Sequence, residues 1–129
     1  MNRNIDLTQA EWSVMECLWE SAPRSGREVT EALAAREGWS RSTTLTLLKR
    51  LEDKGAVESR ESEGKKVFSP LLARTDAAER ETKDFLSRVY HGSVKLMVSA
   101  LTEKKALSQS DIDELYEMLR ELEGGTHND

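Results

Sequence analysis

The stretch that decides the fold runs from Ser40 to Lys54 and reads SRSTTLTLLKRLEDK. As a helix capped by Ser40, it buries one face at the spacing i, i+3, i+4 and i+7. The buried face is Thr44, Leu47, Leu48 and Leu51, and the outward side is Ser42, Thr43, Thr46, Lys49 and Arg50. Short hydroxyl groups reach base edges and cations contact phosphate, so the outward side indicates a helix that approaches DNA. A solvated surface helix shows a similar pattern, so this interpretation depends on the rest of the chain.

Two capping boxes precede this helix. Thr8 with Glu11 opens a helix that runs to about Ser21, and Ser25 with Glu28 opens a second that runs to about residue 36. A short turn around Gly38 then leads into the helix that begins after Ser40. Three short helices with a tight turn between the second and third predict a helix-turn-helix.

After Gly55 the pattern changes from helical to alternating. Two short strands, 57–61 and 66–69, are predicted around a turn in which Gly64 supplies a positive φ. Pro70 ends the second strand because it has no amide hydrogen to donate. A β-hairpin directly after a helix-turn-helix is a wing, and Lys65 and Lys66 are expected over the phosphate backbone.

The last third of the chain returns to helical periodicity. Helices are predicted from residue 76 to about 90, over 94–101, and from a cap at Ser108 or Ser110 to about Glu123. These amphipathic helices cannot close a core alone, which favours association with a second copy of the chain. The residues expected in that interface are Phe85, Leu86, Val89, Leu115, Leu119 and Leu122.

The predicted fold class is mainly α with a small β-hairpin wing. Residues 1–72 would form a winged helix-turn-helix DNA-binding domain, and residues 73–129 a helical dimerisation domain. The net charge of −5 does not by itself indicate nucleic-acid binding, but the distribution of charge matters more than its sum. The cations expected near a DNA face are Arg41, Lys49, Arg50, Lys54, Arg60, Lys65 and Lys66.

Other classes of site lack the residues they need. Cys17 is the only cysteine, and His91 and His127 lie far apart, so neither a disulfide nor a metal site is expected, and no cofactor is predicted. No apolar run approaches the roughly 18 residues of a membrane span, and the first residues do not resemble a signal peptide. The sequence therefore predicts a cytoplasmic protein without membrane insertion.

An ordered set of short motifs resembles a known family. The motifs are Ala10-Glu11-Trp12, Leu18-Trp19, SxxTxxTLLxRLxxKG over 40–55, Phe68-x-Pro70, Phe85-Leu86-x-x-Val89-Tyr90-x-Gly92 and Leu107-Ser108. They resemble the penicillinase-repressor family, which includes the β-lactamase, methicillin-resistance and copper-operon repressors, over about residues 5–122. The resemblance implies a homodimeric transcriptional repressor that binds an inverted-repeat operator in double-stranded DNA. Thr43, Thr46 and Arg50 match the family's positions on the recognition helix.

The chain departs from the family pattern at several places. Ser42 and Leu45 stand where the resistance repressors carry Lys and a polar or basic residue, so a different base preference is expected. Those repressors are inactivated by a membrane sensor-protease that cleaves an Asn-Phe bond. The aligned pair here is Ala100-Leu101, which leaves this release mechanism open. The C-terminal tail lacks the cysteines of the copper repressors, which excludes copper sensing by that route.

Two other classes of protein would need different residues. An enzyme would need a positioned nucleophile, acid–base pair or metal, whereas the carboxylates here fall mostly on solvated helix faces. A winged-helix adaptor that binds protein without DNA is the stronger alternative. Such adaptors usually lack cations on the third helix and wing, where this chain has Lys49, Arg50, Lys65 and Lys66.

Overall fold

The computed structural model describes residues 5–103 and 106–127. The elements in chain order are α1 (Gln9–Glu20), β1 (Arg24–Ser25), α2 (Gly26–Glu37), α3 (Arg41–Lys54), β2 (Val57–Ser62), β3 (Lys65–Pro70), α4 (Arg74–Tyr90), α5 (Val94–Glu103) and α6 (Gln109–His127). The described part is mainly helical with one small antiparallel sheet. This arrangement confirms the predicted fold class.

The first two helices begin at the predicted capping boxes. The Thr8 hydroxyl accepts from the Glu11 amide at 3.1 Å, and the Glu11 carboxylate accepts from the Thr8 amide at 2.8 Å. Ser25 and Glu28 repeat the arrangement at 3.1 and 2.8 Å. Each box satisfies two amides that have no partner inside the helix, so these helix starts are local properties of the sequence.

The hairpin after α3 belongs to a three-stranded sheet with the order β1-β3-β2. β2 and β3 pair from Val57 opposite Pro70 to Ser62 opposite Lys65. The two residues between the strands, 63 and 64, both have positive φ (51° and 78°), as a tight hairpin with the usual strand twist requires. β1, which pairs with β3 through Arg24 opposite Phe68, was not predicted. A strand of two residues is too short to show a periodicity in the sequence, and Arg24 and Ser25 form one only because β3 lies beside them.

The N-terminal core lies between α1, α2, α3 and the base of the hairpin. Its largest side chains with less than 2% exposure include Met15, Leu18, Leu33, Leu48, Leu51 and Leu72. The first turns of α4 belong to the same unit, because Ala77 is 5% exposed and Arg80 Nε donates to the Asp6 carboxylate at 2.7 Å. The chain accordingly divides after Thr82, inside α4. This division lies ten residues after the boundary expected at Leu72, since sequence periodicity does not show which core the first turns of a helix join.

The second unit contains the end of α4 together with α5 and α6. Ser108, rather than Ser110, caps α6: its hydroxyl accepts from the Asp111 amide at 3.0 Å, and the Asp111 carboxylate accepts from the Ser108 amide at 3.2 Å. α6 continues to His127, beyond the end expected near Glu123. Among the ten residues of α5, all of which the structure describes, none is buried.

Candidate nucleic-acid interface

The two faces of α3 differ as the sequence predicted. Ser40 caps the helix by accepting from the Thr43 amide at 3.2 Å, and Gly55 ends it with φ of 82°. The four residues predicted to face the core, Thr44, Leu47, Leu48 and Leu51, are all buried. The five residues predicted to face outward, Ser42, Thr43, Thr46, Lys49 and Arg50, are all exposed. The apolar face of α3 is therefore packed into the core while its polar side stays accessible.

The hydroxyl groups on the outward side are not equivalent. Ser40 Oγ lies 3.2 Å from Ser42 Oγ and donates to Thr43 Oγ1 at 3.0 Å, so these three form a small network at the start of α3. The Thr46 hydroxyl, one turn later, makes no hydrogen bond with any residue that the structure describes. It is therefore free to donate to or accept from an external polar group.

The cations on α3 are weakly engaged. Lys49 Nζ lies 3.5 Å from Asp53 Oδ1, and both side chains are more than 60% exposed, so the pair adds little stability. Arg50 makes no ion pair with any of the described residues. A guanidinium that is solvated and unpaired can bind a phosphate or the edge of a guanine without first breaking an internal contact.

The two wing lysines have different surroundings. Lys65 follows the hairpin turn directly and is exposed. Lys66 Nζ lies 3.7 Å from Glu52 Oε1 and 5.5 Å from the centre of the Phe68 ring. Because side chains alternate along a strand, Lys65 and Lys66 point to opposite faces of the hairpin. Lys65 is thus the more available of the two for a phosphate.

Lys54, which is expected from the sequence among the cations near the DNA face, lies at the contact between α3 and α1. Lys54 Nζ donates to the Glu11 carboxylate at 2.5 Å and to the Asp6 carbonyl at 2.7 Å. Glu11 is 1% exposed, so this pair joins the end of α3 to the start of α1. Burial raises the pKa of Glu11, but hydrogen bonds from Lys54 and Thr8 outweigh burial and hold that pKa below its usual range. Lys54 is therefore a structural residue, and grouping it with the DNA-facing cations was wrong.

Two shallow depressions flank the outward side of α3. One, of about 360 Å³, is lined by Ala10, Trp39, Ser42, Thr43, Thr46, Leu47 and Arg50. The other, of about 320 Å³, is lined by Gly26, Leu45, Leu48, Lys49, Glu52, Lys66 and Phe68. Most of the predicted site residues thus line one of these surfaces, and Lys65 lies at the tip of the wing. Leu45 was not among the predicted site residues, although its position three residues after Ser42 and four before Lys49 places it beside them on the helix.

The helices of the second unit expose apolar side chains. Phe85 and Val89 are 40% and 41% exposed, and Leu86 is half-buried. On α6 the predicted interface residues Leu115, Leu119 and Leu122 are 38%, 58% and 68% exposed. Sequence reasoning did not assign Tyr116 to this interface, although it is 60% exposed. Ala100 is half-buried and Leu101 is 40% exposed, both within α5.

The described residues contain neither a metal-binding cluster nor a membrane-spanning helix. Across 5–103 and 106–127, no group of three His, Cys, Asp or Glu side chains could hold a metal ion. Cys17 is buried, which raises the pKa of its thiol, and Arg24 Nη1 donates to its sulfur at 3.4 Å. Within the same part of the chain, no helix has both the length and the apolar character needed to cross a membrane.

Comparisons with known proteins agree with this geometry. The model of the penicillinase repressor family matches residues 7–121. The methicillin resistance regulatory protein MecI of Staphylococcus aureus (strain N315) is 30% identical over 118 residues, which cover 92% of this chain and 96% of MecI. The penicillinase repressor of Bacillus licheniformis is 32% identical over 121 residues, 94% of each chain. The solution structure of monomeric Bacillus licheniformis BlaI with the blaP half-operator matches with a TM-score of 0.53 and 29% identity, over 59% of this chain and 93% of that one. The chain belongs to the penicillinase repressor family.

Proposed function

We propose that this chain is a DNA-binding transcriptional repressor that binds an inverted-repeat operator as a homodimer. The observation that carries the proposal is the outward side of α3, where Thr46 and Arg50 are exposed without internal partners among the described residues. Support comes from the similarity to BlaI, which was solved with a half-operator. The family consists of repressors, so the enzyme alternative is set aside.

Each part of the proposed DNA-binding surface has a role that follows from its chemistry. α3 would enter the major groove, where Ser42, Thr43 and Thr46 can exchange hydrogen bonds with base edges. Arg50 can bind phosphate or a guanine edge through two parallel hydrogen bonds, and Lys49 contributes a point charge near phosphate. Lys65, at the tip of the wing, would contact the phosphates beside the adjacent groove, and Lys66, on the opposite face of the hairpin, would add positive charge near them.

The second unit would supply the contact between two copies. Apolar side chains exposed over an extended surface are typical of interaction sites, and α4, α5 and α6 all carry them. Two linked DNA-binding units place both half-sites of an inverted repeat within reach, so the second binding step becomes intramolecular. We infer that the chain acts in the cytoplasm, since a repressor must reach its operator.

The experiment that tests this function is fluorescence anisotropy with duplexes from the chain's own promoter region. We expect one inverted-repeat duplex to bind at least about a thousandfold more tightly than a scrambled duplex of equal composition. Thr46→Ala should change the ranking of operator variants, while Thr75→Ala, an exposed threonine at the start of α4, should leave it unchanged. Equal binding to every duplex would contradict the proposal, and absence of any binding would favour the adaptor alternative.

We further propose that a membrane sensor-protease releases the repressor by cleaving between Ala100 and Leu101. The support is that α5 has no buried residue within the described chain, so local unfolding of this helix costs little and exposes the bond. Cleavage would separate α6 from the rest and reduce the avidity of two half-sites. Mass spectrometry of the repressor before and after induction should show a fragment that ends at Ala100. An intact chain that has left its operator would contradict cleavage.

A further inference from the structure

An exposed leucine lies beside the polar side of α3. Leu45 is 36% exposed, whereas the other three leucines of this helix are 5% exposed or less. It forms one wall of the 320 Å³ depression between α3, the start of α2 and β3. An external apolar group that covered the exposed part of this leucine would remove apolar area from water, which is favourable.

The position of Leu45 is set by its neighbours. A methyl group added to Gly26 would lie 3.7 Å from Leu45 Cδ2 and 3.6 Å from the Phe68 ring. The inner side of the leucine therefore packs against the start of α2, while the remaining surface faces the depression. Because Ser42 and Lys49 lie three residues before and four after it, Leu45 shares their side of the helix. A group that contacts both Ser42 and Lys49 would therefore lie close to Leu45.

The charges around the depression favour an apolar group attached to an anionic chain. Lys49 and Lys66 line it beside the apolar side chains. The Glu52 carboxylate also lines it, but this carboxylate accepts from the Ser59 hydroxyl at 2.7 Å and lies 3.7 Å from Lys66 Nζ. Its charge is thus compensated within the protein. What remains for a ligand is an apolar wall with a lysine next to it.

The C5-methyl group of thymine fits this description. It projects into the major groove, it distinguishes thymine from the other bases, and the phosphates lie at the groove's edges. We propose that Leu45 contacts the methyl group of one thymine in each half-site and thereby makes that base a preferred one. The inference rests on the proposed DNA-binding function and adds a base specificity to it.

Deoxyuridine provides the test, because it differs from thymidine only by lacking this methyl group. The probe is the tightest-binding promoter duplex, with its thymines replaced by deoxyuridine one position at a time. For the native chain we expect one replacement per half-site to weaken Kd about fourfold, the effect of one buried methyl group at about 0.8 kcal/mol. Leu45→Ala should bind thymine and uracil at that position equally. Leu71→Ala, in which another exposed leucine at 42% is truncated, should keep the native fourfold difference.

The outcomes separate this inference from the function on which it rests. If the native chain binds the duplex but no uracil replacement weakens binding, the thymine contact is wrong and DNA binding stands. The same conclusion follows if Leu45→Ala keeps the full fourfold difference. If Leu45→Ala does not fold, the native chain's response to uracil still shows whether one thymine methyl group in each half-site contributes to binding. If no duplex binds the native chain, the proposed function itself fails.

Discussion

The hydroxyl of Thr44 offers the sharpest test of the packing behind α3. Thr44 is 0% exposed, and among the described residues its Oγ1 has no hydrogen-bond partner. A buried hydroxyl without a partner loses its bonds to water and gains none in the fold. Thr44→Val replaces the hydroxyl by a methyl group of similar size. We expect this substitution to stabilise the N-terminal unit.

The magnitude follows from the chemistry of the exchange. An unsatisfied buried polar group costs about 1–3 kcal/mol, and Val and Thr have similar helix propensities. No cavity is created, because the two side chains have nearly the same shape. We therefore expect Thr44→Val to raise the free energy of unfolding by about 1–2 kcal/mol, which for a unit of about 80 residues raises Tm by about 4–8 °C per kcal/mol.

Thr30 provides the matched control. It is 7% exposed, and its hydroxyl donates to the Arg27 carbonyl at 2.9 Å. Thr30→Val makes the same chemical change but removes a hydrogen bond that exists. We expect it to be neutral or to lower the free energy of unfolding by about 0.5–1.5 kcal/mol. Opposite signs for the two substitutions would show that the missing partner, rather than the methyl group, determines the effect.

Urea unfolding followed by tryptophan fluorescence is the assay. The three tryptophans, Trp12, Trp19 and Trp39, all lie in the N-terminal unit, so the signal reports on that unit. DNA affinity of Thr44→Val should equal that of the native chain, because the side chain points away from the outward side of α3. A loss of about 1 kcal/mol or more with Thr44→Val would refute the reasoning and indicate that the hydroxyl is satisfied, for example by a buried water.

Three further predictions concern the wing, the division of the chain and its response to pH. Replacing Lys65 and Lys66 by Ala should weaken binding to all duplexes by a similar factor and reduce the slope of log Kd against log salt by about one per lost phosphate contact. A fragment ending at Thr82 should be monomeric, bind a half-site weakly and unfold at higher urea than one ending at residue 72, as sedimentation, anisotropy and unfolding would show. Because the pKa of Glu11 is lowered in the folded state, the stability it contributes is present above its ordinary pKa of 4.5. It is lost as pH falls below 4.5 and through the lower pKa of the folded state. Glu11→Gln should therefore lower the free energy of unfolding at pH 7 and flatten its decline on acidification, measured by urea unfolding at pH 7 and pH 4.

Each of these predictions can fail in a distinct way. An unchanged salt slope in the lysine double variant would place the wing away from phosphate. A fragment ending at Thr82 that still dimerises would move the interface into the N-terminal unit. If Glu11→Gln is as stable as the native chain at pH 7 and loses stability equally on acidification, the Glu11–Lys54 pair contributes nothing measurable.

The features that the sequence determined by itself depend on residues within about two helical turns of one another. A capping box such as Thr8 with Glu11 closes within one helical turn, and the two-faced pattern of α3 repeats within two turns. Gly55 ends α3 because its positive φ suits a residue without a side chain. The helix starts, the buried and exposed sides of α3 and the wing turn could all be predicted for this reason.

Other features depend on which distant segments meet when the chain folds. From the sequence, Lys54 is expected to be one more cation near the DNA face. In the folded chain its ammonium group donates to the carboxylate of Glu11, 43 residues away, and so joins the end of α3 to the start of α1. Arg24 and Ser25 become a strand only because β3 folds back beside them. The first turns of α4 join the N-terminal core through Ala77. Periodicity shows which face of an element is apolar, but only the packed structure decides what that face meets and which charges remain free for DNA.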